Sequence, residues 1–426
     1  MGELLGLPRQ WWEAAQERLF FLPPFPEQAD SLALFSLLLV VGLLIGEWLN
    51  ARFHWPKLIG YVLAGTIFGP SLLGWISIEA LAQARPIADA ALGLLLLEAG
   101  RRLDLRWLAS NPAVRRSTAA DIVLSFFVIY LFASLAVGME PAWAAATAAV
   151  TMASAPAVVL LTVEESKAQG QVTERVILHT SISSAAAFVL FAMVLGVVHA
   201  EYSDDWLNAV VHPLWVVVGA VLIAWGVSRF ALLVARRLPK RSLAQVFILV
   251  ASALFAVGLA RMLAVPVFLT LFLMGALLAF RDEHQTLRYT ELPEGHWLLA
   301  IILFVVIGAS LPWHEFTWLT GLQALGLLLA RALAKIGALF WSGNDLPSKK
   351  RLLVGVGIQP LSATAVFMAY ELASLYPEVG RSALLLPLFA AAIMEIAGPA
   401  LCRLALVKAG ETEHGEHGEK TKGGIG

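Results

Sequence analysis

The chain has 426 residues, of which 59% are hydrophobic and only 14% are charged, and its mean hydropathy is +0.76. A soluble domain needs roughly 25% charged residues to cover its surface, so this composition excludes a soluble globular protein and predicts a polytopic membrane protein. The single cysteine, Cys402, excludes an internal disulfide framework and a cysteine metal cluster, whereas the formal net charge of −1 says nothing about partners.

The segment 1–30 precedes the first long apolar run. It lacks the basic opening, apolar core and small-residue cleavage site of a signal peptide. Trp11, Trp12, Phe20 and Phe21 are interleaved with charged residues, which is typical of an amphipathic helix lying at the lipid headgroups. The segment is therefore predicted to be interfacial.

Long apolar runs between charges, glycines and prolines predict the membrane spans. Since a bilayer core needs roughly 20 apolar residues per helix, the pattern predicts an all-α protein with about thirteen transmembrane helices. The predicted spans are 31–50, 56–74, 86–103, 117–138, 141–163, 173–199, 209–235, 242–260, 263–280, 296–311, 317–341, 351–374 and 381–407. The remaining tail, 409–426, is hydrophilic and predicted to be disordered.

Basic residues are concentrated in alternate loops. The loops after odd-numbered spans hold Arg52, Lys57, Arg101, Arg102, Arg106, Arg115, Arg116, Lys167, Arg175, Arg236, Arg237, Lys240, Arg241, Arg281, Arg288, Lys349, Lys350 and Arg351. The loops on the other side hold only Arg85, Arg261 and Arg381. By the positive-inside rule, this bias predicts an outside N-terminus, an odd helix count and a cytoplasmic C-terminus.

Several motifs occur twice in the same order. The second span, "PKLIGYVLAG", matches the ninth, "PVFLTLFLMG", in the spacing of proline and glycine, and the third and tenth spans end with the same glycine-to-leucine spacing. The offset of seven spans is odd, so the second copy would cross the membrane in the opposite sense. We therefore predict two inverted six-helix repeats, 31–199 and 242–408, joined by a linker helix at 209–235, as in secondary transporters.

The fifth and twelfth spans each carry a proline at mid-span, Pro156 and Pro360. Proline removes a backbone donor and strands a carbonyl, which membranes tolerate only where protein or a watery cavity satisfies it. Each proline could merely kink a packed helix, but their matched positions favour two discontinuous helices that cross. Polar neighbours would supply oxygens there: Thr151, Ser154, Gln359, Ser362 and Thr364.

Two cations lie one turn apart on the eleventh span, Arg331 and Lys335. An ionisable residue at mid-span costs a few kcal/mol or more, so these side chains need acidic or carbonyl partners. Asp121 on the fourth span and Glu395 on the thirteenth are the candidate carboxylates. A transport site and a structural buried salt bridge remain equally open readings of this pairing.

The sequence resembles the monovalent cation/proton antiporter superfamily, in its bacterial sodium/proton and potassium/proton branch. The resemblance covers roughly residues 30–408 and rests on "PKLIGYVLAGTIFGPSLLG", "LLLLEAGRRLDL", "TMASAPAVVLLTVEE", "FVVIGASLP" and "ARALAKIGALF". It implies that Pro156 and Pro360 mark the helix crossing, that Lys335 is the cation of the eleventh helix, and that the protein works by elevator-like alternating access.

One departure from the family pattern concerns chemistry. Where the resemblance implies carboxylates on the sixth helix, this sequence has Ser183 and Ser184. A serine hydroxyl can coordinate an ion but does not ionise near neutral pH, so proton exchange would have to move to another group. The candidates are His179, Asp121, Glu395 and Lys335.

The resemblance implies a secondary transporter that exchanges Na⁺ or K⁺ for protons, as a homodimer in a bacterial inner membrane. The sequence shows no zinc spacing, phosphate loop, nucleophile elbow or basic-aromatic stripe, so no enzyme activity, cofactor, metal or nucleic-acid partner is expected. Because the sixth-helix carboxylates are absent, two alternatives stay open. One is a diverged transporter of an anion or small solute, and the other is an uncoupled channel-like or sensory protein.

Overall fold

A computed structural model describes nine stretches of the chain. They are residues 31–103, 105–203, 206–238, 243–282, 295–315, 317–342, 346–361, 363–376 and 380–412. The predicted interfacial segment 1–30 and the tail beyond residue 412 lie outside the described residues.

The described residues in the first half of the chain form eight helices around an apolar interior. They are α1 (Ser31–Phe53), α2 (Lys57–Phe68), α3 (Ile78–Arg101), the short α4 (Leu105–Ser110), α5 (Pro112–Leu131), α6 (Pro141–Met152), α7 (Pro156–Ser166) and α8 (Gln171–Ser203). A single π-helical turn, Phe132–Ala136, extends α5. Proline at the first position of α5, α6 and α7 suits a helix start, where a backbone N–H has no intrahelical partner.

The described residues in the second half form eight further helices. They are α9 (Trp206–Ala235), α10 (Leu243–Met262), α11 (Val267–Arg281), α12 (Gly295–Ser310), α13 (Trp318–Ser342), α14 (Ser348–Gly357), α15 (Ala363–Leu375) and α16 (Gly380–Ala409). The regular structure of the described residues is entirely helical, without strands, and this confirms the predicted all-α class.

Among the described residues, ten helical segments are long and apolar enough to cross a membrane, and three shorter apolar helices accompany them, Lys57–Phe68, Val267–Arg281 and Ala363–Leu372. Large apolar side chains such as Leu214, Leu222 and Phe230 on α9 are exposed, as expected for a surface that faces lipid. The protein is therefore a multi-pass membrane protein. The count of thirteen crossings stays a prediction.

The helices predicted to be discontinuous are interrupted. α6 ends at Met152 and α7 begins at Pro156, while α14 ends at Gly357 and α15 begins at Ala363. The two interruptions touch: the Ala155 backbone N–H donates to the Pro360 carbonyl at 2.9 Å, and the Ser154 hydroxyl donates to the Ile358 carbonyl at 3.0 Å. We call residues 153–155 and 358–361 together the crossing.

Two pairs of helices approach each other at glycines. A Cβ on Gly65 of α2 would lie 2.1 Å from the Val305 carbonyl oxygen of α12, and one on Gly308 would lie 2.2 Å from the Val62 carbonyl oxygen. Gly100 of α3 and Gly275 of α11 have the same mutual arrangement. The predicted repeat matches α2 with α11 and α3 with α12, so it relates these two contacts to each other. The contacts therefore support the repeat, which stays a prediction.

Candidate functional site

Arg331 of α13 binds the backbone at the crossing. Its Nε donates to the Thr151 carbonyl at 2.7 Å, and its Nη2 donates to the Ala153 carbonyl at 2.8 Å. Its Nη1 donates to the backbone carbonyl of Gln359 at 2.6 Å and to the side-chain Oε1 of the same residue at 3.0 Å. The last carbonyls of a helix lack intrahelical partners and carry partial negative charge. The guanidinium therefore satisfies the carbonyls released where α6 and α14 end.

Lys335, one turn further along α13, contacts Asp121 of α5. Its Nζ lies 3.2 Å from Oδ1 and 3.3 Å from Oδ2, and both side chains are 0% exposed. The Ser125 hydroxyl donates to Asp121 Oδ1 at 3.0 Å. Of the two carboxylates predicted as partners for Lys335, the structure brings Asp121 into contact.

Ser183 of α8 lies beside this ion pair. Its Oγ is 3.5 Å from Lys335 Nζ, and its hydroxyl donates to the Met152 carbonyl at 3.4 Å. Ser184 is equally buried, and its hydroxyl has no hydrogen-bond partner among the described residues. Of these two serines, only Ser183 therefore has a hydrogen bond that joins it to the Lys335–Asp121 pair.

His179 occupies the preceding turn of α8. Its Nε2 lies 3.2 Å from the Ser117 hydroxyl and its Nδ1 lies 3.5 Å from the Thr118 hydroxyl, both on α5. The imidazole is buried and directed at the first half of α5, toward the helix start. His179 therefore lies one turn before Ser183 on α8, and its hydroxyl neighbours lie one turn before Asp121 on α5.

Glu395 of α16 is buried, and neither carboxylate oxygen has a hydrogen-bond partner among the described residues. The backbone N–H of Ala363, at the start of α15, faces this carboxyl. The structure therefore places Glu395, the second predicted carboxylate, beside the start of α15, whereas Lys335 contacts Asp121.

The predicted polar neighbours of the two prolines have different hydrogen-bond partners. The Ser154 hydroxyl binds within the crossing, whereas the Gln359 side chain accepts from Arg331 at Oε1 and donates from Nε2 to the Gly355 carbonyl of α14 at 2.8 Å. The Thr151 hydroxyl donates back to the Thr147 carbonyl at 2.6 Å, and the Thr364 hydroxyl is buried with no partner among the described residues. Ser362 lies outside the described residues.

Sequence reasoning missed several groups at the site. Ser125 lies one helical turn after Asp121, a spacing that places both side chains on the same face of α5 and could have identified it. The carbonyls of Met152, Ala153 and Gln359 carry no signal in the sequence, because every residue has a carbonyl. Only the fold shows which of them lose their helical partner.

The site therefore combines one carboxylate with an ammonium, two hydroxyls and an opened backbone. Oxygen atoms of unwound helices and of nearby side chains are the groups that coordinate alkali cations in transporters. A cavity of about 580 Å³ opens beside the first turns of α8 and is lined by Arg102, Glu174, Arg175 and Leu178, among others. It lies at the end of α8 that precedes His179.

Comparison with known proteins agrees with this architecture. The chain is 34% identical over 119 residues to the Na(+)/H(+) antiporter NhaS4 of Synechocystis, a match that covers 23% of this chain and 29% of that protein. The chain thus matches less than a third of the length of this relative.

Solved structures of the sodium proton antiporter MjNhaP1 of Methanocaldococcus jannaschii share the fold. The structure at pH 8 has a TM-score of 0.66 at 17% identity, covering 88% of this chain and 95% of that one. An electron-microscopy map of the same antiporter gives a TM-score of 0.64 at 18% identity, covering 93% and 98%. The family profile "Sodium/hydrogen exchanger, transmembrane" matches residues 35–398, and the chain therefore belongs to the sodium/hydrogen exchanger family.

Proposed function

We propose that the protein is a secondary-active transporter that exchanges a monovalent cation, Na⁺ or K⁺, for protons, with Asp121 as the exchanging carboxylate. The observation that carries this proposal is the fully buried contact between Lys335 and Asp121, beside the opened backbone of the crossing. Family membership and the likeness to a sodium proton antiporter support it.

The chemistry follows from competition for one carboxylate. With no cation bound, the Lys335 ammonium neutralises Asp121. An incoming cation would take its place, coordinated by Asp121, by the Ser183 and Ser125 hydroxyls and by the Met152 carbonyl, and the lysine would lose its proton. Asp121 on α5 would then bind the cation. The resemblance assigned this role to carboxylates on α8, the helix that carries Ser183.

Alternating access would come from an elevator-like shift of the crossing, together with the helices that hold it, against the rest of the protein. We also propose a homodimer in a bacterial inner membrane, with the N-terminus outside and the C-terminus in the cytoplasm. The positive-inside bias is the basis of this orientation, and contacts between segments predicted to lie on one side support the grouping of the loops. Glu165, for example, accepts hydrogen bonds from the Asn50 side chain at 2.7 Å and from the Lys57 backbone N–H at 3.2 Å.

The anion-transport alternative is less well supported by the site. It would need Arg331 and Lys335 as free positive charges, but carbonyls surround the guanidinium and Asp121 neutralises the ammonium. An anion would have to displace these partners from a buried position, at a large desolvation cost.

Everted membrane vesicles with a preset pH gradient test the proposal. Addition of Na⁺ or K⁺ should dissipate the gradient for the wild type, and both Asp121→Asn and Lys335→Ala should abolish this response. Asp89→Asn is the matched control, because Asp89 forms an ion pair with Arg261 at 3.3 Å outside the site and is partly exposed. This control should keep wild-type exchange.

Two outcomes would contradict the proposal. The first is a wild-type protein that responds to no cation between neutral and alkaline pH. The second is full activity in Asp121→Asn, which would leave the buried pair a purely structural salt bridge. Size-exclusion profiles of each purified variant show whether a loss of exchange reflects misfolding.

A further inference from the structure

Glu395 is the least compensated ionisable side chain described at the crossing. It is 0% exposed, and neither carboxylate oxygen accepts or donates a hydrogen bond in the part of the chain that the structure describes. Burying an unpaired carboxylate is strongly unfavourable, so such a group is expected to be compensated or functional. The exchange at Asp121 and Lys335 does not use it.

The position of this carboxyl is set by close packing of α16 against the crossing. A Cβ on Gly398, one turn after Glu395, would lie 2.9 Å from the Cα of Pro360. The carboxyl faces the Ala363 N–H at the start of α15, and the Thr364 hydroxyl of the same turn is buried with no partner in the described part of the chain. An unpartnered acid thus lies at the N-terminal end of a half-helix, where backbone donors and the helix dipole favour negative charge.

No ionic partner for Glu395 exists among the described residues. α16 packs against α2, α6, α7, α8, α13, α14 and α15, and no charged side chain on them acts on this carboxyl. The two buried cations of α13 are engaged elsewhere, Arg331 with backbone carbonyls and Lys335 with Asp121. Glu395 is therefore chemically separate from the Lys335–Asp121 pair, although both lie at the crossing.

The surroundings suit a proton better than a metal cation. An alkali cation needs several oxygen ligands, whereas the described residues at the start of α15 present backbone N–H donors and the Thr364 hydroxyl. A proton on the carboxyl removes the cost of an unpaired buried charge, and after its release the N–H groups of α15 face the anion. The surroundings of Glu395 thus accommodate both the protonated and the ionised carboxyl.

We propose that Glu395 is a second proton-binding site of the transport cycle, separate from the Lys335–Asp121 pair. The inference rests on the proposed exchange function and deepens it: each cycle carries one proton at Glu395 in addition to the proton that Lys335 gives up to the cation at Asp121. The Glu395 proton is taken from water on one side of the membrane and released to water on the other, and no other bond is formed or broken.

Infrared difference spectroscopy on protein reconstituted in liposomes tests the site without depending on transport. A step from acidic to alkaline pH should reveal the carbonyl stretch of a buried protonated carboxyl, and Glu395→Gln should lack this band. Asp121→Asn should retain it, and so should Glu140→Gln, which removes an exposed carboxyl. Glu395→Asp keeps a carboxyl and should shift the band, which covers the case in which the glutamine variant does not fold.

Transport stoichiometry separates this inference from the proposed function. In the same liposomes, Glu395→Gln should still exchange cation for proton while losing one proton per cycle, so that the dependence of transport on membrane potential changes. An unchanged band and unchanged stoichiometry in Glu395→Gln, with normal exchange in the wild type, would overturn the second site alone. A wild type without exchange that still shows the Glu395 band would overturn the proposed function and leave the proton site standing.

Discussion

At the scale of single residues, the two cations of α13, Arg331 and Lys335, bind different partners. Arg331 reaches four acceptors on three residues, which a planar guanidinium with five donors can satisfy at once. Lys335 carries a compact charge and binds a single carboxylate, Asp121. In the proposed exchange, backbone support and ion exchange would thus be divided between neighbouring turns of the same helix.

Replacement of Arg331 should therefore lower stability more than it alters ion preference. Arg331→Ala would strand three buried backbone carbonyls, and at about 1–3 kcal/mol for each unsatisfied group the loss should be about 3 kcal/mol or more. Arg331→Lys should recover only part of it, because an ammonium cannot reach the same set of acceptors. Thermal unfolding of the purified protein in detergent measures both effects.

Arg261→Lys is the control for this comparison. Arg261 is half exposed and forms an ion pair with Asp89, so a lysine there should change the unfolding temperature little. Equal stability of Arg331→Lys and the wild type would argue against the guanidinium as the support of the crossing.

At the scale of elements, glycines decide how closely the helices approach. Gly275 of α11 lies so close to α3 that a Cβ would be 2.1 Å from the Leu97 carbonyl oxygen, which is backbone and cannot rotate away. Gly65, Gly100 and Gly308 have equivalent contacts. Small residues at such positions permit the tight packing on which helix association in membranes depends, since lipid provides no hydrophobic drive between helices.

Gly275→Ala should therefore force α3 and α11 apart and destabilise the protein by about 1–3 kcal/mol, the usual cost of overpacking. Gly258→Ala is a matched control, because Gly258 lies inside the neighbouring helix α10 and a Cβ there would meet nothing within 4 Å. Thermal unfolding in detergent should show a lower midpoint for the first variant and little change for the second. A similar midpoint for the two alanine variants would contradict the close approach.

At the scale of the whole molecule, the predicted orientation can be tested by cysteine labelling. Cys402 is 0% exposed, so the wild type provides an unreactive background. In intact cells a membrane-impermeant maleimide should label Leu73→Cys, in an exposed loop after α2, but not Lys349→Cys, at the start of α14. Everted vesicles should show the reverse pattern. Labelling of both positions from the same side would refute the orientation.

Much of this architecture could be read from the sequence. The apolar runs predicted a helix over each span, and Pro156 and Pro360 predicted where two of them break, because hydrophobic length and a missing N–H act locally. Resemblance to the antiporter superfamily agreed with the family to which the chain belongs. The pairing of Arg331 and Lys335 with carbonyl or acidic partners was expected from the cost of burying charge.

Only the tertiary structure decided which partner each charge has. Asp121 and Glu395 were equal candidates for Lys335, because the sequence records their place along a helix but not the rotation of that helix in the bundle. In the packed bundle, Asp121 contacts Lys335 and Glu395 faces the start of α15. By itself the sequence determined a multi-pass, all-α protein with two interrupted helices, since those features follow from local composition. The contacts at the crossing depend on helices far apart in the chain, so only the folded protein could reveal them.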